Sequence, residues 1–315
     1  MQRAIAWQQA WERAAQSFYR QQEPGRHFTT DAMDGSSLSL VLPRLRQVLD
    51  DCPGPITVVD VGAGDGALLR GLHAALRERP DAERTRLVGI DLRGRPQALD
   101  PGIEWSSGDA RSTELEPFDG LLIAHEFLDD LPCPWIECDA DGNPRVVLVD
   151  DHGETQLGPA LADRAHCRRL GVEAAAIEDW IQAWWPIRRP FARCEPGLDR
   201  DRAWARLTKA VRTGQAISID YGHVRQQRAA GTWDGGTITG YRTGRVVSPI
   251  PDGSCNITAH VSMDAIAAAA SDAIASTLQP LHGDFWLLAQ AFGSGSGRHA
   301  ARGPAAGVGA ATMPR

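Results

Sequence analysis

The sequence predicts an α/β fold built on a doubly wound, mostly parallel sheet, and three observations predict it. Short β-branched or apolar runs alternate with helical periodicities from about residue 55 to residue 131. The first run, Val58-Val59-Asp60-Val61, passes through glycines spaced G-x-G-x-G (Gly62, Gly64, Gly66) straight into a helical pattern. The next, Leu87-Val88-Gly89-Ile90, ends in an acid, Asp91. Strand, glycine turn, helix and acid-tipped strand in that order form a βαβ unit, which implies parallel strands covered on both faces.

Each element has its own reason. Ala4, Trp7, Trp11, Ala14 and Phe18 recur at helical spacing, so residues 4–18 read as an N-terminal helix packing an aromatic stripe on the body. A polar loop spans 21–37, and helical periodicity resumes over 38–49. Strands are expected at 56–61, 86–91, 103–106 and 118–124, with a helix at 66–77. Trp135 to Cys138 and Arg145 to Asp150, joined by Asp139-Ala140-Asp141-Gly142-Asn143, read as an antiparallel hairpin. Helical segments follow, ending before Pro186, so residues 135–195 read as a helical and hairpin insertion. A helix at 199–213, a strand at 215–220, an alanine-rich helix before residue 274 and closing strands within 278–292 complete the body. The Gly/Ala/Ser/Arg-rich stretch 293–315 reads as a disordered tail. The expected organisation is thus a helical segment over 1–50, a main domain over 51–292 and that tail.

Composition narrows the function classes. The 315 residues carry a formal net charge of −7, which leaves no basic footprint for bulk nucleic-acid binding. Arginine supplies nearly all the cationic charge, and Lys209 is the lone lysine. There is no secretory h-region and no apolar run of about 18 residues, so the chain reads as cytoplasmic, with no membrane association. The 6 cysteines lack a C-x-x-C pair and are expected to be reduced, buried and metal-free.

The glycine loop predicts a nucleoside-bearing ligand, because glycines let backbone approach it and the helix start offers unpaired N–H groups. Asp91 at its strand tip is placed to accept hydrogen bonds from ribose hydroxyls. The dinucleotide spacing G-x-G-x-x-G is not met, and Asp60 and Asp65 flank the glycines. Two carboxylates repel a pyrophosphate but attract a sulfonium and an α-ammonium. S-adenosyl-L-methionine is therefore expected over NAD, with Asp60, Gly62, Gly64, Asp65 and Gly66 at its methionine part. Gly108-Asp109, after the third strand, would place an acid at the exocyclic amine of adenine.

Further motifs carry a family resemblance. His125-Glu126-Phe127-Leu128-Asp129-Asp130-Leu131-Pro132 resembles the HEF-x-D-x-LP signature of MidA-type methyltransferases. Asp220-Tyr221-Gly222-His223 is similar to that family's DYGH segment. Gly236-Thr237 to Tyr241, Asn256-Ile257-Thr258-Ala259-His260-Val261 and Phe28-Thr29-Thr30 resemble its GT-x-x-x-Y, DITAHV and F-x-T stretches. The resemblance spans about residues 10 to 290, although Asp31-Ala32-Met33-Asp34 departs from the Ser-Pro-Glu-like stretch that commonly follows F-x-T. It implies a class I, seven-stranded fold and methyl transfer to a partner protein, with arginine as acceptor, as in the mitochondrial complex I assembly factor of the family.

That chemistry gives the motif residues candidate roles. A guanidinium is a poor nucleophile until carboxylates localise its charge, and Glu126 and Asp129 could clamp it. His125 or His223 could take a proton near neutral pH, and Tyr221 could line the transfer pocket. The bland reading makes Glu126 and Asp129 helix-start acids, His223 a turn residue, and Asn256 and His260 loop-fixing groups. Two rivals stand beside methyl transfer: a docking or assembly factor that binds the cofactor without turnover, and a NAD-dependent oxidoreductase.

Overall fold

The computed structural model describes residues 4–21, 36–150, 152–187 and 189–293. The expected tail and the F-x-T element lie outside the described residues. The chain opens with β1 (Ile5–Ala6), α1 (Trp7–Gln21), α2 (Ser36–Asp51), β2 (Ile56–Val61), α3 (Ala67–Leu76), β3 (Thr85–Asp91), β4 (Ile103–Ser107) and β5 (Phe118–His125). It continues with β6 (Ile136–Cys138), β7 (Pro144–Val149), β8 (Thr155–Ala160), α4 (Arg164–Arg169), α5 (Ala174–Trp184), β9 (Arg193–Cys194), α6 (Leu198–Thr208) and β10 (Val211–His223). α7 (Arg225–Ala229), β11 (Thr239–Arg242), β12 (Arg245–Val247), β13 (Asn256–Thr258), β14 (Val261–Ser262), α8 (Met263–Ala269), β15 (Ala275–Pro280) and β16 (Phe285–Phe292) close it.

The main sheet follows the order β15-β16-β10-β5-β2-β3-β4, with the short β14 paired to β10. Strands β4, β3, β2, β5 and β10 run parallel, and β16 is antiparallel to both β10 and β15. The central strands are buried on both faces, as Val58, Val61, Leu121, Leu122, Ile123 and Ala124 demonstrate. Such strands read as continuous apolar runs because no face meets water. Helices α2 and α3 cover one face through Val41, Leu45, Leu69 and Leu72. On the other, α6 and α8 pack through Trp204, Leu207, Met263 and Ile266.

Three expectations need correction. The predicted helix at 199–213 ends at Thr208, and β10 begins at Val211, because the sheet extends Val211-Arg212-Thr213 along β5. The sheet is not covered on both faces throughout. At the β3–β4 edge Arg86 and Glu104 point outward and pair with each other, and a polar ladder of this kind needs no helix over it. The region 135–195 is more than a hairpin with helices. β6, β7, β8 and β9 form a second sheet, and β1 joins it from the N-terminus by pairing antiparallel with β7. A two-residue strand leaves no periodicity to read, so β1 was invisible in the sequence.

Candidate active site

The C-terminal ends of β2, β3, β4, β5 and β10 converge on one side of the sheet, where ligands bind in open parallel sheets. A cavity opens there, with an empty volume of about 1160 Å³ counted out to its mouth. The glycine loop forms its floor. Gly62 and Ala63 donate their backbone N–H groups to the Ile90 carbonyl at 2.8 and 3.1 Å, which curls the loop over the tip of β3. Gly62 has φ +71°, and a Cβ there would stand 2.8 Å from the Phe127 ring. Both facts exclude a side chain at this position. Gly66, the left-handed residue that opens α3, is demanded by packing, since its Cβ would lie 2.7 Å from Leu99. Gly66 itself is not among the residues lining the cavity.

The expected cofactor acids sit in different environments. Asp60 lines the cavity but is 3% exposed, and burial together with neighbouring Asp91 pushes its carboxyl up to about 8. Asp91 accepts the Gly64 N–H at 2.9 Å and the Arg93 Nε at 2.9 Å, which fixes the carboxylate at the strand tip. Asp109 also lines the cavity, and both its oxygens are held by the Arg111 guanidinium, at 3.0 and 2.9 Å from Nε. Asp65 turns back on its own helix, accepting the Ala67 N–H at 2.9 Å and pairing with Arg70 at 3.1 Å. Its side chain, half exposed, caps the start of α3. Gly108 belongs to the cavity wall and donates its N–H to the Asp91 carbonyl at 2.8 Å.

At the end of β5, His125, Glu126 and Phe127 reach the same cavity. Glu126 has φ +47°, a conformation that costs a β-branched or bulky residue and is held here by its N–H bond to the Ile219 carbonyl at 2.8 Å. Its carboxylate is 3.7 Å from His125 Nε2, which also meets Ser37 Oγ at 2.9 Å. Three residues expected at the transfer site stand apart from this cavity. Asp129 is 3% exposed and turns to Asp220, which accepts its backbone N–H at 3.3 Å and a hydrogen bond from Ser218 Oγ at 2.6 Å. Burial first, and the charges of Asp130, Asp220 and Glu126 after it, raise the Asp129 carboxyl well above its usual range, and burial pushes Asp220 up to about 7 against the hydrogen bonds it accepts. His223 is fully buried against Trp185, with Nδ1 held by Arg228 at 2.9 Å. Desolvation and the Arg228 charge keep it well below the usual histidine range, so the ring is uncharged near neutral pH. Tyr221 packs edge-on to Phe285 and stacks near His260. β10 runs on past Ile219, the residue paired with His125 at the end of β5, and its next residues pair with β16 and β14, so Tyr221 and His223 lie beyond the strand end that opens on the cavity.

Sequence reasoning missed several participants. Tyr19 and Asp130 line the cavity, Tyr19 donates to Asp130, and Asn256 Nδ2 donates to the same carboxylate at 2.8 Å. Arg200, 1% exposed, gives all its hydrogen bonds to backbone carbonyls: Leu131 at 3.0 and 2.8 Å, Asp129 and Ala259 at 2.8 Å, and His260 at 3.0 Å. It ties the loop after β5 to the loop before β14. Nothing local in Asp199-Arg200-Asp201-Arg202 marks one arginine as buried, because the loops it clips lie far away in sequence. Among the described residues no group of His, Cys, Asp and Glu could hold a metal ion. No helix there is long and apolar enough to cross a membrane.

Residues 40–281 match a family model described as "Putative S-adenosyl-L-methionine-dependent methyltransferase". The chain belongs to this family. Its cofactor is S-adenosyl-L-methionine, and the NAD reading falls away. The fold is similar to that of a COG1565 superfamily member from Burkholderia thailandensis bound to S-adenosyl-homocysteine, with TM-score 0.66 and 20% identity over 91% of this chain and 88% of that one. A second structure of a COG1565 superfamily protein from the same organism gives TM-score 0.68 and 20% identity, covering 91% and 87%. At this identity the likeness speaks for the α/β fold alone. No curated protein matches the sequence.

The residues present fit that cofactor. The cavity is lined by seven carboxylic side chains (Glu12, Asp60, Asp65, Asp91, Asp109, Glu126, Asp130) against two arginines, each of which is paired to an acid. A cavity with this excess of acid favours a cationic ligand and repels a pyrophosphate.

Proposed function

We propose that this methyltransferase acts on a nitrogen of a partner protein's side chain, with arginine as the acceptor that the family resemblance favours. The observation that carries the reading is Glu126, held at positive φ on the cavity beside the glycine loop. Backbone strain of this kind persists where the surrounding structure fixes a group for use. Asp60, Gly62 and Gly64 would hold the methionine part, Asp91 the ribose and Asp109 the adenine, with Phe127 closing the loop from above. When bound, the cofactor supplies an electrophilic methyl on a sulfonium, and the protein's work is to orient the nucleophile and exclude water. Glu126 localises the positive charge of a guanidinium and aims one nitrogen. His125, 3.7 Å from the Glu126 carboxylate and 2.9 Å from Ser37 Oγ, stands behind Glu126 as a group able to receive the proton that a methylated nitrogen gives up. Asp129 and Asp220 sit behind this pair and hold the loop rather than the substrate.

The strand order, with β16 as the single reversed strand between β10 and β15, supports a class I arrangement. It also supports reading residues 51–292 as one catalytic domain with an inserted second sheet. The acid-rich cavity counts against a nucleic-acid acceptor. The decisive experiment replaces Glu126 by Gln and follows both S-adenosylhomocysteine affinity and label transfer from S-adenosylmethionine to arginine-containing protein. The expected result is retained affinity with transfer reduced at least about a hundredfold, the scale of losing a transition-state contact. Unchanged transfer would remove Glu126 from the mechanism. Absence of any transfer by wild type, with a client still captured, would favour a docking factor.

A further inference from the structure

Helix α1 has two faces of different use. Trp7, Trp11, Ala14 and Phe18 are buried on the body, at 1%, 1%, 5% and 1% exposure. Glu12, Ala15, Gln16 and Tyr19 line the cofactor cavity instead. These four recur at i, i+3, i+4 and i+7, which makes one continuous stripe of the helix. A surface helix ordinarily turns its polar stripe to bulk water. Here the stripe walls a ligand cavity across from the glycine loop.

Both ends of the stripe are fastened, each to a different part of the site. Glu12 accepts two hydrogen bonds from Arg111, from Nη1 at 2.9 Å and from Nη2 at 2.8 Å. The same guanidinium grips Asp109, the acid at the end of β4. Tyr19, two turns further along, donates to Asp130 on the loop that carries Glu126, and Asn256 braces that carboxylate. Burial and the adjacent Asp130 charge raise the Tyr19 phenol well above its ordinary range, so it stays a donor at all physiological pH. Before α1, β1 ties the backbone to the second sheet, with Ile5 and Ala6 paired to Val149 and Leu148.

We propose that α1 is the fourth wall and the gate of the cofactor site, latched by Glu12–Arg111–Asp109 at one end and Tyr19–Asp130 at the other. The proposal rests on the cofactor reading above. Arg111 makes the coupling two-way: whatever engages Asp109 alters the partner of Glu12, and lifting α1 frees both. Cofactor exchange then requires the polar ties to break while the tryptophan face remains as the hinge side. Release of the spent cofactor becomes a conformational step rather than simple diffusion from an open cleft.

The test is the rate at which S-adenosylhomocysteine leaves the full-length protein, measured by stopped-flow displacement for wild type, E12Q and Y19F. E12Q keeps side-chain size but removes the charge and one of the two acceptors for Arg111, and Y19F removes the donor to Asp130; release should accelerate about tenfold in either, with binding still saturable. Hydrogen exchange on wild type supplies a reading that does not depend on the variants folding: α1 amides should exchange more slowly with ligand bound. Unchanged release in both variants, or α1 exchange indifferent to ligand, overturns the gate while leaving the cofactor site standing. Failure of wild type to bind S-adenosylhomocysteine at all overturns the cofactor reading and the gate together.

Discussion

Asp60 offers the sharpest test of the cavity's electrostatics, because its carboxyl is pushed up to about 8 by burial first and by Asp91 second. A cationic ligand favours the ionised form, so below that value binding must also remove the proton. Apparent affinity should then weaken about tenfold for each pH unit below about 8, since one unit corresponds to ~1.4 kcal/mol. At about pH 6 the penalty reaches roughly a hundredfold, or ~2.7 kcal/mol, relative to about pH 8.5. Calorimetric titration with S-adenosylmethionine across that range measures the slope. Repeating it in buffers of different ionisation enthalpy counts the released protons, about one per binding event at the acid end. Asp60→Asn should flatten the pH dependence and leave binding weak throughout. A wild-type affinity that is level between about pH 6 and 8.5, or an Asn variant with the slope intact, would refute the argument that Asp60 faces the cationic part of the ligand.

Other expectations follow from the same geometry. Gly62→Ala adds a methyl 2.8 Å from the Phe127 ring at φ +71°. It should abolish S-adenosylhomocysteine binding and cost about 1–2 kcal/mol in the residue's backbone alone, visible as a lower Tm. Arg200→Met strips donors from four backbone carbonyls, three of them buried, and should destabilise by about 3 kcal/mol or more in urea unfolding; a loss below about 1 kcal/mol would deny Arg200 its clipping role. Stability of the ligand-free protein should fall as pH rises from about 6.5 to 8.5. Asp60 at about 8 and Asp220 and Asp201 at about 7 bind protons in the folded state that the unfolded chain has already released. His223 and His260, both held below the usual histidine range, contribute stability that is complete above about pH 6.5, so they do not offset the fall. Thermal scans at several pH values check the sign, and a Tm that climbs over this interval would contradict it.

Much of this molecule was legible in one dimension, for a physical reason. The glycine loop, Asp60, Asp91 and the strand ends depend on local chemistry: glycine alone enters positive φ cheaply, and buried parallel strands must be apolar on both faces. The motif after β5 was legible in the same way, since Glu126 follows its strand directly. Residues that act through distant partners were not. Asp129 and Glu126 look alike in sequence, and only the proximity of Asp220 on β10 decides that one is buried behind the site while the other faces it. His223 looked like a proton acceptor until Arg228 and Trp185 closed around it. The aromatic stripe of α1 was plain from its spacing, but its opposite face, Glu12 to Tyr19, acquired meaning only when the helix came to rest across the cavity. Local propensity and patterning are written along the chain, whereas the partner a charged side chain meets is set by which strands the sheet places side by side.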